Sequence, residues 1–271
     1  MDHVKALVLT GYGTNCHRET AHTALLAGAD QADVVHFSQL ISGDKRLVDY
    51  NFLIFPGGFL DGDDLGAAQA AALRWRYAKT DLGNSLLEEL RFFFDSGGLI
   101  LGICNGFQLL VKLGLLPALG MRYFERQVSL SHNDSARFED RWVHLRVNSQ
   151  SPCIFTRGLN NLYFPVRHGE GKLVARSEDT LAGLEREGLV ALTYVHPETG
   201  RPSMEYPYNP NGSPKGIAGL SDPSGRILGL MPHPEAYNHL TNHPAWTRGR
   251  QETLGISLLA NGVAYLRSQE K

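Results

Sequence analysis

Apolar segments that alternate with helical patterns in the first half of the sequence constrain the fold more than any other feature. The predicted strands and helices are, in chain order, 6–9, 18–26, 33–37, 52–55, 65–77, 86–94, 99–103 and 107–113. A helix between successive strands is typical of βαβ units, whose strands lie parallel in one sheet. Segment 99–103 is apolar throughout, which predicts a central strand covered on both faces.

The second half of the sequence has extended segments separated by turn residues. They cover 141–147, 162–166, 172–175 and 189–195, and a last strand at 226–230 and a closing helix at 248–267 follow. Residues 196–215 are rich in Pro, Gly and Asn, which predicts a long surface excursion. No internal repeat or linker divides residues 1–271. We therefore predict a single α/β domain: an open, mostly parallel central sheet flanked by helices, with antiparallel additions in the second half.

Charge and composition exclude several classes of protein. The chain has 26 basic and 28 acidic residues and no run of Lys or Arg, so it lacks the electrostatic signature of nucleic-acid or membrane binding. Its longest charge-free apolar stretch, 96–111, is shorter than the roughly 20 residues of a membrane-spanning helix. The N-terminal segment 1–5 lacks a signal-peptide pattern, and three widely spaced cysteines form no disulfide framework. We expect a cytosolic protein without nucleic-acid or membrane partners.

The strongest local motif is Gly-Ile-Cys-Asn-Gly at 102–106, where the central strand turns into the next helix. This is the nucleophile-elbow pattern with a thiol in place of a hydroxyl. The tight turn strains the central residue, and glycines on either side avoid collisions that a Cβ would cause. N–H groups at the helix N-terminus stabilise a thiolate, and the N–H of Asn105 can donate to an oxyanion. Cys104 is a candidate nucleophile, although buried free cysteines are often simple core residues.

A second motif, Met-Pro-His-Pro-Glu at 231–235, follows the last predicted strand and supplies a base. Residues i and i+2 of an extended segment project to the same side, so Glu235 can accept a hydrogen bond from His233. Pro234 keeps His233 extended, because the residue before a proline is excluded from the helical region. His233 would take the thiol proton and return it to the leaving amine. A single histidine in a turn is usually unremarkable, but together with Cys104 the pattern favours catalysis.

A third motif, Pro-Gly-Gly-Phe at 56–59, ends the third predicted strand. Paired glycines there let the backbone approach a ligand at the carboxyl edge of the sheet. An N–H of Gly57 or Gly58 is a candidate second oxyanion donor, although most glycine pairs are only turns.

The three motifs, in this order, resemble those of class I glutamine amidotransferases. Four further stretches resemble the glutaminase subunit of phosphoribosylformylglycinamidine synthase, an enzyme of purine biosynthesis. They are Gly-Thr-Asn-Cys at 13–16, Asn-Asp-Ser-Ala-Arg-Phe at 133–138, His-Gly-Glu-Gly at 168–171 and Asn-Pro-Asn-Gly-Ser at 209–213. The resemblance extends over nearly the whole chain.

This resemblance implies hydrolysis of the glutamine side-chain amide through a thioester on Cys104. It assigns the oxyanion N–H groups to Gly58 and Asn105, and glutamine binding to Gly57 and Gln108. The ammonia would pass to a separate synthetase subunit that converts formylglycinamide ribonucleotide to formylglycinamidine ribonucleotide, with a small third subunit as a further candidate partner. Because the sequence has no phosphate-binding loop, we expect no cofactor in this chain, and ATP and Mg in the synthetase.

The candidate residues for the synthetase interface are Arg137, His168 and Glu170, against a simpler interpretation as ordinary loop residues. The sequence departs from the family pattern at His17, where an acidic residue is expected, and at Ala236, where arginine is common. Neither departure affects the nucleophile or its base, but both bear on the interface.

Other features of the sequence leave alternatives open. Cys16 is predicted to be a packed structural residue near the interface, and Cys153 is predicted to be inert. His239 and His243 lack an accompanying metal-binding motif, so no metal site is predicted. The alternative functions are an amidotransferase that serves another ammonia acceptor, a non-catalytic binding subunit with the same fold, and a general cysteine hydrolase or peptidase.

Overall fold

The structure, a computed structural model, describes residues 3–269. Met1 and Asp2, which belong to the N-terminal segment used to predict a cytosolic location, lie outside the described residues. Among the described residues, no helix is both long and apolar enough to cross a membrane.

The strands are, in chain order, β1 (Lys5–Thr10), β2 (Gln31–His36), β3 (Phe52–Phe55), β4 (Leu99–Ile103), β5 (Val128–His132), β6 (Glu139–Val147), β7 (Asn161–His168), β8 (Glu170–Ala175), β9 (Val190–Tyr194), β10 (Ile217–Ser221) and β11 (Ile227–Leu230). Nine of them form one sheet in the order β2-β1-β3-β4-β11-β10-β9-β6-β7. The first five in this order are parallel, and the last four continue the sheet antiparallel. The predicted fold class is therefore confirmed.

The helices are α1 (His17–Leu26), α2 (Phe37–Ile41), α3 (Gln69–Tyr77), α4 (Leu86–Asp95), α5 (Asn105–Leu113), α6 (Glu178–Arg186) and α7 (Ile256–Ser268). α1 contacts α7, whereas α3 contacts α4 and α5, so these helices pack in two groups. Every residue of α5 except Lys112 is buried, because this helix lies against β3, β4 and β11. The three strands are themselves buried along their whole length, as expected for the centre of a covered sheet.

Some predicted segments differ from the structure. The helix predicted at 65–77 begins only at Gln69, because Gly66 and Ala68 have positive φ angles that no helix accommodates. The segment 172–175 does not join the main sheet, because β8 pairs with β5 in a separate two-stranded ribbon. The closing helix, predicted from residue 248, begins at Ile256.

The segment 196–215, predicted as a surface excursion, is only partly superficial. It contains no strand and only the start of one 3-10 turn, and much of its first part is exposed. Asn209, Asn211 and Ser213, in contrast, are buried. Asn209 Nδ2 donates to the carbonyl oxygens of Ser203 and Ser213 within the segment, and Ser213 Oγ accepts from the N–H of Leu173 in β8.

Candidate active site

Cys104 occupies the sharp turn between β4 and α5. Its φ and ψ angles are 50° and −102°, a strained conformation for a residue with a side chain. A Cβ added to Gly102 would lie 2.8 Å from the carbonyl oxygen of Gly106, and one added to Gly106 would overlap the carbonyl oxygen of Phe55. The turn therefore requires glycine on both sides of the cysteine.

His233, the candidate base, lies just after the end of the neighbouring parallel strand. Leu230 of β11 is in register with Ile103 of β4, and the N–H of Cys104 donates to the Leu230 carbonyl oxygen at 2.8 Å. Three residues further on, His233 is anchored by its own N–H, which donates to the Pro165 carbonyl oxygen of β7 at 2.8 Å. Adjacent strand ends thus bring together two residues that are distant in the sequence.

His233 and Glu235 form a buried pair. Nδ1 of His233 lies 2.6 Å from Oε1 of Glu235, and the side chains are 2% and 1% exposed. The segment between them is not extended as predicted, because Pro234–Ala236 forms a 3-10 turn. The turn still directs both side chains to the same place. The Glu235 carboxylate therefore fixes the imidazole with its Nδ1–H toward the carboxylate.

The electrostatics of His233 reflect two opposing effects. Burial lowers the pKa of the imidazole, but the neighbouring Glu235 carboxylate and the Cys104 thiol outweigh it, so the pKa lies well above its ordinary value. Nε2 of His233 is buried and has no hydrogen-bond partner within residues 3–269, while Sγ of Cys104 lies 3.5 Å from the Arg167 carbonyl oxygen. Hydrogen bonds of catalytic groups often tighten only when substrate binds.

Two backbone N–H groups lie at the ends of β3 and β4. Asn105 is the first residue of α5, so its N–H has no partner within the helix. Gly58 has a φ of 139°, and a Cβ there would lie 2.5 Å from the backbone nitrogen of Asn15. The side chain of Asn105 ties the two loops together, since its Oδ1 accepts from the N–H of Leu60 at 3.1 Å. Two backbone N–H donors and a thiol are the groups that make up an oxyanion hole with its nucleophile.

A sequence profile of the CobB/CobQ-like glutamine amidotransferase domain matches residues 3–266. The chain belongs to this glutamine amidotransferase family. A phosphoribosylformylglycinamidine synthase subunit PurQ from Methanococcus maripaludis (strain C7) is 44% identical over 242 residues, which cover 89% of this chain and 85% of that protein. Another, from Dehalococcoides mccartyi, is 41% identical over 269 residues, which cover 98% of this chain and 99% of that protein.

A chain in the solved structure of PurLQS from Thermotoga maritima is also similar to this amidotransferase. It is 27% identical, superposes with a TM-score of 0.69, and the match covers 97% of this chain and 99% of that chain. The likeness therefore extends over the whole fold, including the antiparallel half of the sheet.

The predicted glutamine-binding residues, Gly57 and Gln108, both contact other residues of this chain. A Cβ on Gly57 would lie 2.6 Å from Cε1 of His233, so glycine leaves room for the base. Gln108 donates from Nε2 to the Glu170 carbonyl oxygen at 2.6 Å and accepts on Oε1 from Asn105 at 3.0 Å. One N–H and one lone pair of the Gln108 amide remain for a ligand.

The three predicted interface residues differ in exposure. Arg137 is exposed, whereas the Glu170 side chain is 13% exposed and accepts the N–H of Ala67. The side chain of His168 is only 2% exposed within this chain, and its contact with the synthetase stays a prediction. Its ring lies against Asn133, and a Cβ on Gly171 would lie 2.6 Å from it, so His168 packs inward where the chain turns from β7 to β8.

The tautomer of His168 follows from its partner. Asn133 uses Nδ2 to donate to the carbonyl oxygens of Arg137 and His168, which leaves Oδ1 facing Nδ1 of His168 at 3.1 Å. Nδ1 therefore carries the proton, and Nε2 is an acceptor with no partner in the described part of the chain. Burial, reinforced by the charge of nearby His233, lowers the pKa of His168 to about 3.

Cys16 is a residue of the site that the sequence interpretation missed. Its Sγ lies 3.9 Å from Nδ1 of His233, on the side of the ring where Glu235 binds. The available signal was its place in the Gly-Thr-Asn-Cys stretch after β1, since the carboxyl ends of parallel strands share one edge. Cys153 is buried away from these groups, beside Thr156. His243 packs among Trp142, Tyr163 and Tyr237.

Proposed function

We propose that this chain is the glutaminase subunit of phosphoribosylformylglycinamidine synthase. It hydrolyses glutamine to glutamate and ammonia and supplies the ammonia to a synthetase that forms formylglycinamidine ribonucleotide from formylglycinamide ribonucleotide. The observation that carries the proposal is the position of Cys104 at a strained turn beside β11. The backbone N–H of Cys104 donates to the last residue of β11, and the buried His233–Glu235 pair follows that strand. The names of the PurQ relatives, at 41 to 44% identity, support the synthetase as partner.

Each group has a defined role in the reaction. The Cys104 thiol gives its proton to Nε2 of His233, and the thiolate attacks the carboxamide carbon of glutamine. The N–H groups of Gly58 and Asn105 stabilise the oxyanion. His233 then protonates the departing ammonia, which leaves a γ-glutamyl thioester. Water, deprotonated by the same imidazole, releases glutamate and restores the thiol, while Glu235 stabilises the imidazolium in both steps.

The division of labour with the partner follows from this chemistry. Glutamine hydrolysis through a thioester needs no nucleotide, so ATP and Mg are assigned to the synthetase, with a small third subunit as a further partner. A location in the cytosol follows from the proposed purine-biosynthetic reaction. We also propose that residues 1–271 act as one domain, because one sheet joins strands from Lys5 to Leu230.

The nucleophile is tested by replacing Cys104 with alanine. We expect Cys104→Ala to lose glutamate release from glutamine by at least about 1,000-fold, because the proposed thioester forms on the Cys104 sulfur at the strained turn. The complex of this variant with the synthetase should still use added ammonia. Cys153→Ala is the matched control and should retain glutamine hydrolysis. Glutamate release by Cys104→Ala at the wild-type rate would exclude Cys104 as the nucleophile.

Two alternatives are separated by further measurements. An amidotransferase that serves another acceptor would co-purify with a different synthetase and would not support ATP-dependent amidine formation from formylglycinamide ribonucleotide. A non-catalytic subunit would not be alkylated by a glutamine-analogue electrophile. We expect mass spectrometry to find that label on Cys104.

A further inference from the structure

Three donor atoms of different chemistry converge on the side of His233 that faces away from Nε2. They are Sγ of Cys16, a ring nitrogen of His233 and a carboxylate oxygen of Glu235, and these atoms all lie within 4.8 Å of one another. Sulfur, imidazole nitrogen and carboxylate oxygen are the ligands that Zn²⁺ takes in proteins. We propose that Cys16, His233 and Glu235 form a binding site for a thiophilic divalent cation such as Zn²⁺, and that its occupation inactivates the base.

The spacing of the donors fits one ion after small movements. Zn–S bonds of about 2.3 Å and Zn–N or Zn–O bonds of about 2.0 to 2.2 Å place tetrahedral donors roughly 3.4 to 3.6 Å apart. The Cys16 Sγ to His233 Nδ1 distance is 3.9 Å, and the His233 Nδ1 to Glu235 Oε1 distance is 2.6 Å. Each of these two distances therefore changes by no more than about 1 Å when the ion replaces the hydrogen bond between His233 and Glu235.

The protein already holds the donors in place and gives the ion a route. The N–H of Cys16 donates to the Gly57 carbonyl oxygen at 3.1 Å, and Thr20 Oγ1 donates to the Cys16 carbonyl oxygen at 2.6 Å. Glycine at 57 leaves room for the imidazole, because a Cβ there would lie 2.6 Å from Cε1 of His233, whereas it would make only an ordinary contact, at 3.4 Å, with Sγ of Cys16. Cys16 is partly exposed, so the ion reaches the two buried ligands from its side.

An unused oxygen is a second indication of a ligand site. Oε2 of Glu235 is buried and has no hydrogen-bond partner within residues 3–269. A buried carboxylate oxygen without a partner is costly, and a cation satisfies it. The thiol selects for soft ions, because Mg²⁺ and Ca²⁺ prefer sites made only of oxygen.

Occupation of this site blocks the proposed reaction by fixing the wrong tautomer. Binding releases the thiol proton of Cys16, and the single proton of the neutral His233 ring moves from Nδ1, which the ion now occupies, to Nε2. A metal-bound ring with a proton on Nε2 cannot accept the proton of Cys104. This inhibition rests on the proposed glutaminase function, whereas the metal site itself does not.

Metal binding is measured directly with Co²⁺ as a spectroscopic probe and Zn²⁺ in calorimetry, on the full chain. We expect wild type, Cys104→Ala and Cys153→Ala to bind one Co²⁺ with near-ultraviolet thiolate-to-cobalt absorption. Cys16→Ser should lose this absorption and bind Zn²⁺ at least about 10-fold more weakly. Absorption that persists in Cys16→Ser, or disappears in Cys104→Ala, would overturn the proposal.

Two further measurements keep the test independent of protein stability and of glutamine hydrolysis. In wild type, Zn²⁺ should protect Cys16 from iodoacetamide, as read by mass spectrometry of its peptide, and unprotected Cys16 would contradict the site. In glutaminase assays, half-inhibition by Zn²⁺ should require at least about 10-fold more metal for Cys16→Ser than for wild type. If the chain hydrolyses no glutamine, the cobalt and alkylation experiments still decide whether the ion binds.

Discussion

His168 and His233 show how one neighbour sets the charge of a buried histidine. Both side chains are 2% exposed, and burial acts to lower the pKa of each. A carboxylate, Glu235, reverses this effect for His233, whereas His168 faces the neutral amide of Asn133 and stays uncharged. The first ring therefore holds a proton more readily than a free imidazole, and the second stays neutral as a fixed polar group.

The low pKa of His168 predicts acid-sensitive stability. Below about pH 6.5 the His168 side chain is protonated in the unfolded state, whereas in the folded state it stays neutral down to about pH 3. Folding therefore becomes less favourable as the pH falls through this window. This one group accounts for up to about 1.4 kcal/mol of unfolding free energy per pH unit. We expect His168→Gln to have a shallower decline than wild type between pH 6.5 and pH 5 in urea denaturation.

The slope, rather than the absolute stability, is the result that matters for His168, because the substitution also alters packing. His22→Gln, on the exposed face of α1, is the control and should keep the wild-type slope. Equal slopes for His168→Gln and wild type would show that folding does not lower the pKa of His168.

The candidate catalytic groups are easier to find in the sequence than their surroundings. Cys104, His233 and Glu235 stand in two local motifs, each of which follows the end of a strand. The inward turn of His168 depends on Asn133, 35 residues away, and the contact of Cys16 with His233 spans 217 residues. Such pairings are set by the tertiary fold, so no periodicity or spacing predicts them.

At the scale of elements, helix α3 depends on a side chain from another element. It begins after Ala68, which has a left-handed conformation and provides no side-chain cap. The Glu170 carboxylate instead accepts the N–H of Ala67 at 3.2 and 3.3 Å, and its charge lies near the positive end of the helix. β8 therefore holds the end of the loop between β3 and α3.

We expect Glu170→Ala to lower the free energy of unfolding by about 1 kcal/mol, the usual cost of losing a helix cap. Glu170→Gln keeps an acceptor without the charge and should lose less. Urea denaturation measures both, with the exposed Glu198→Ala as control. A Glu170→Ala variant as stable as wild type would mean that the carboxylate does not support α3.

The sequence predicted strands correctly where the local residues determine the strand, and it failed where pairing with a distant strand determines the position. β3 and β4 were predicted at their observed bounds, because each is a fully apolar run between turn residues. β5 and β10 were not predicted, and β8 was assigned to the wrong sheet. Their positions depend on partner strands, which a single sequence does not reveal.

At the scale of the whole molecule, the carboxyl edge of the sheet combines the site with an exposed aromatic pair. Phe59 follows Gly58, its ring lies 6.5 Å from that of Phe138, and the two side chains are 43% and 55% exposed. Arg137 is exposed beside Phe138. Aromatic residues and arginine are enriched where proteins associate, so this edge fits the surface that meets the synthetase.

We expect Arg137→Glu to weaken association with the synthetase by about 10-fold, because reversing a charge at an interface introduces repulsion and can remove more than 1 kcal/mol of binding energy. Calorimetry or surface-immobilised binding gives the dissociation constant. Arg46→Glu, before the opposite end of β3, is the matched control. If both variants bind alike, Arg137 lies outside the interface.

The position of β11 also matters while the protein is being synthesised. This strand is the last of the sheet in the sequence, yet it lies between β4 and β10 in the middle. A nascent chain that has emerged only as far as β10 therefore leaves the edge of β4 unpaired and exposed to wrong partners. Since His233 follows β11, no ribosome-bound fragment of that length has the base, and ammonia release awaits insertion of the final strand.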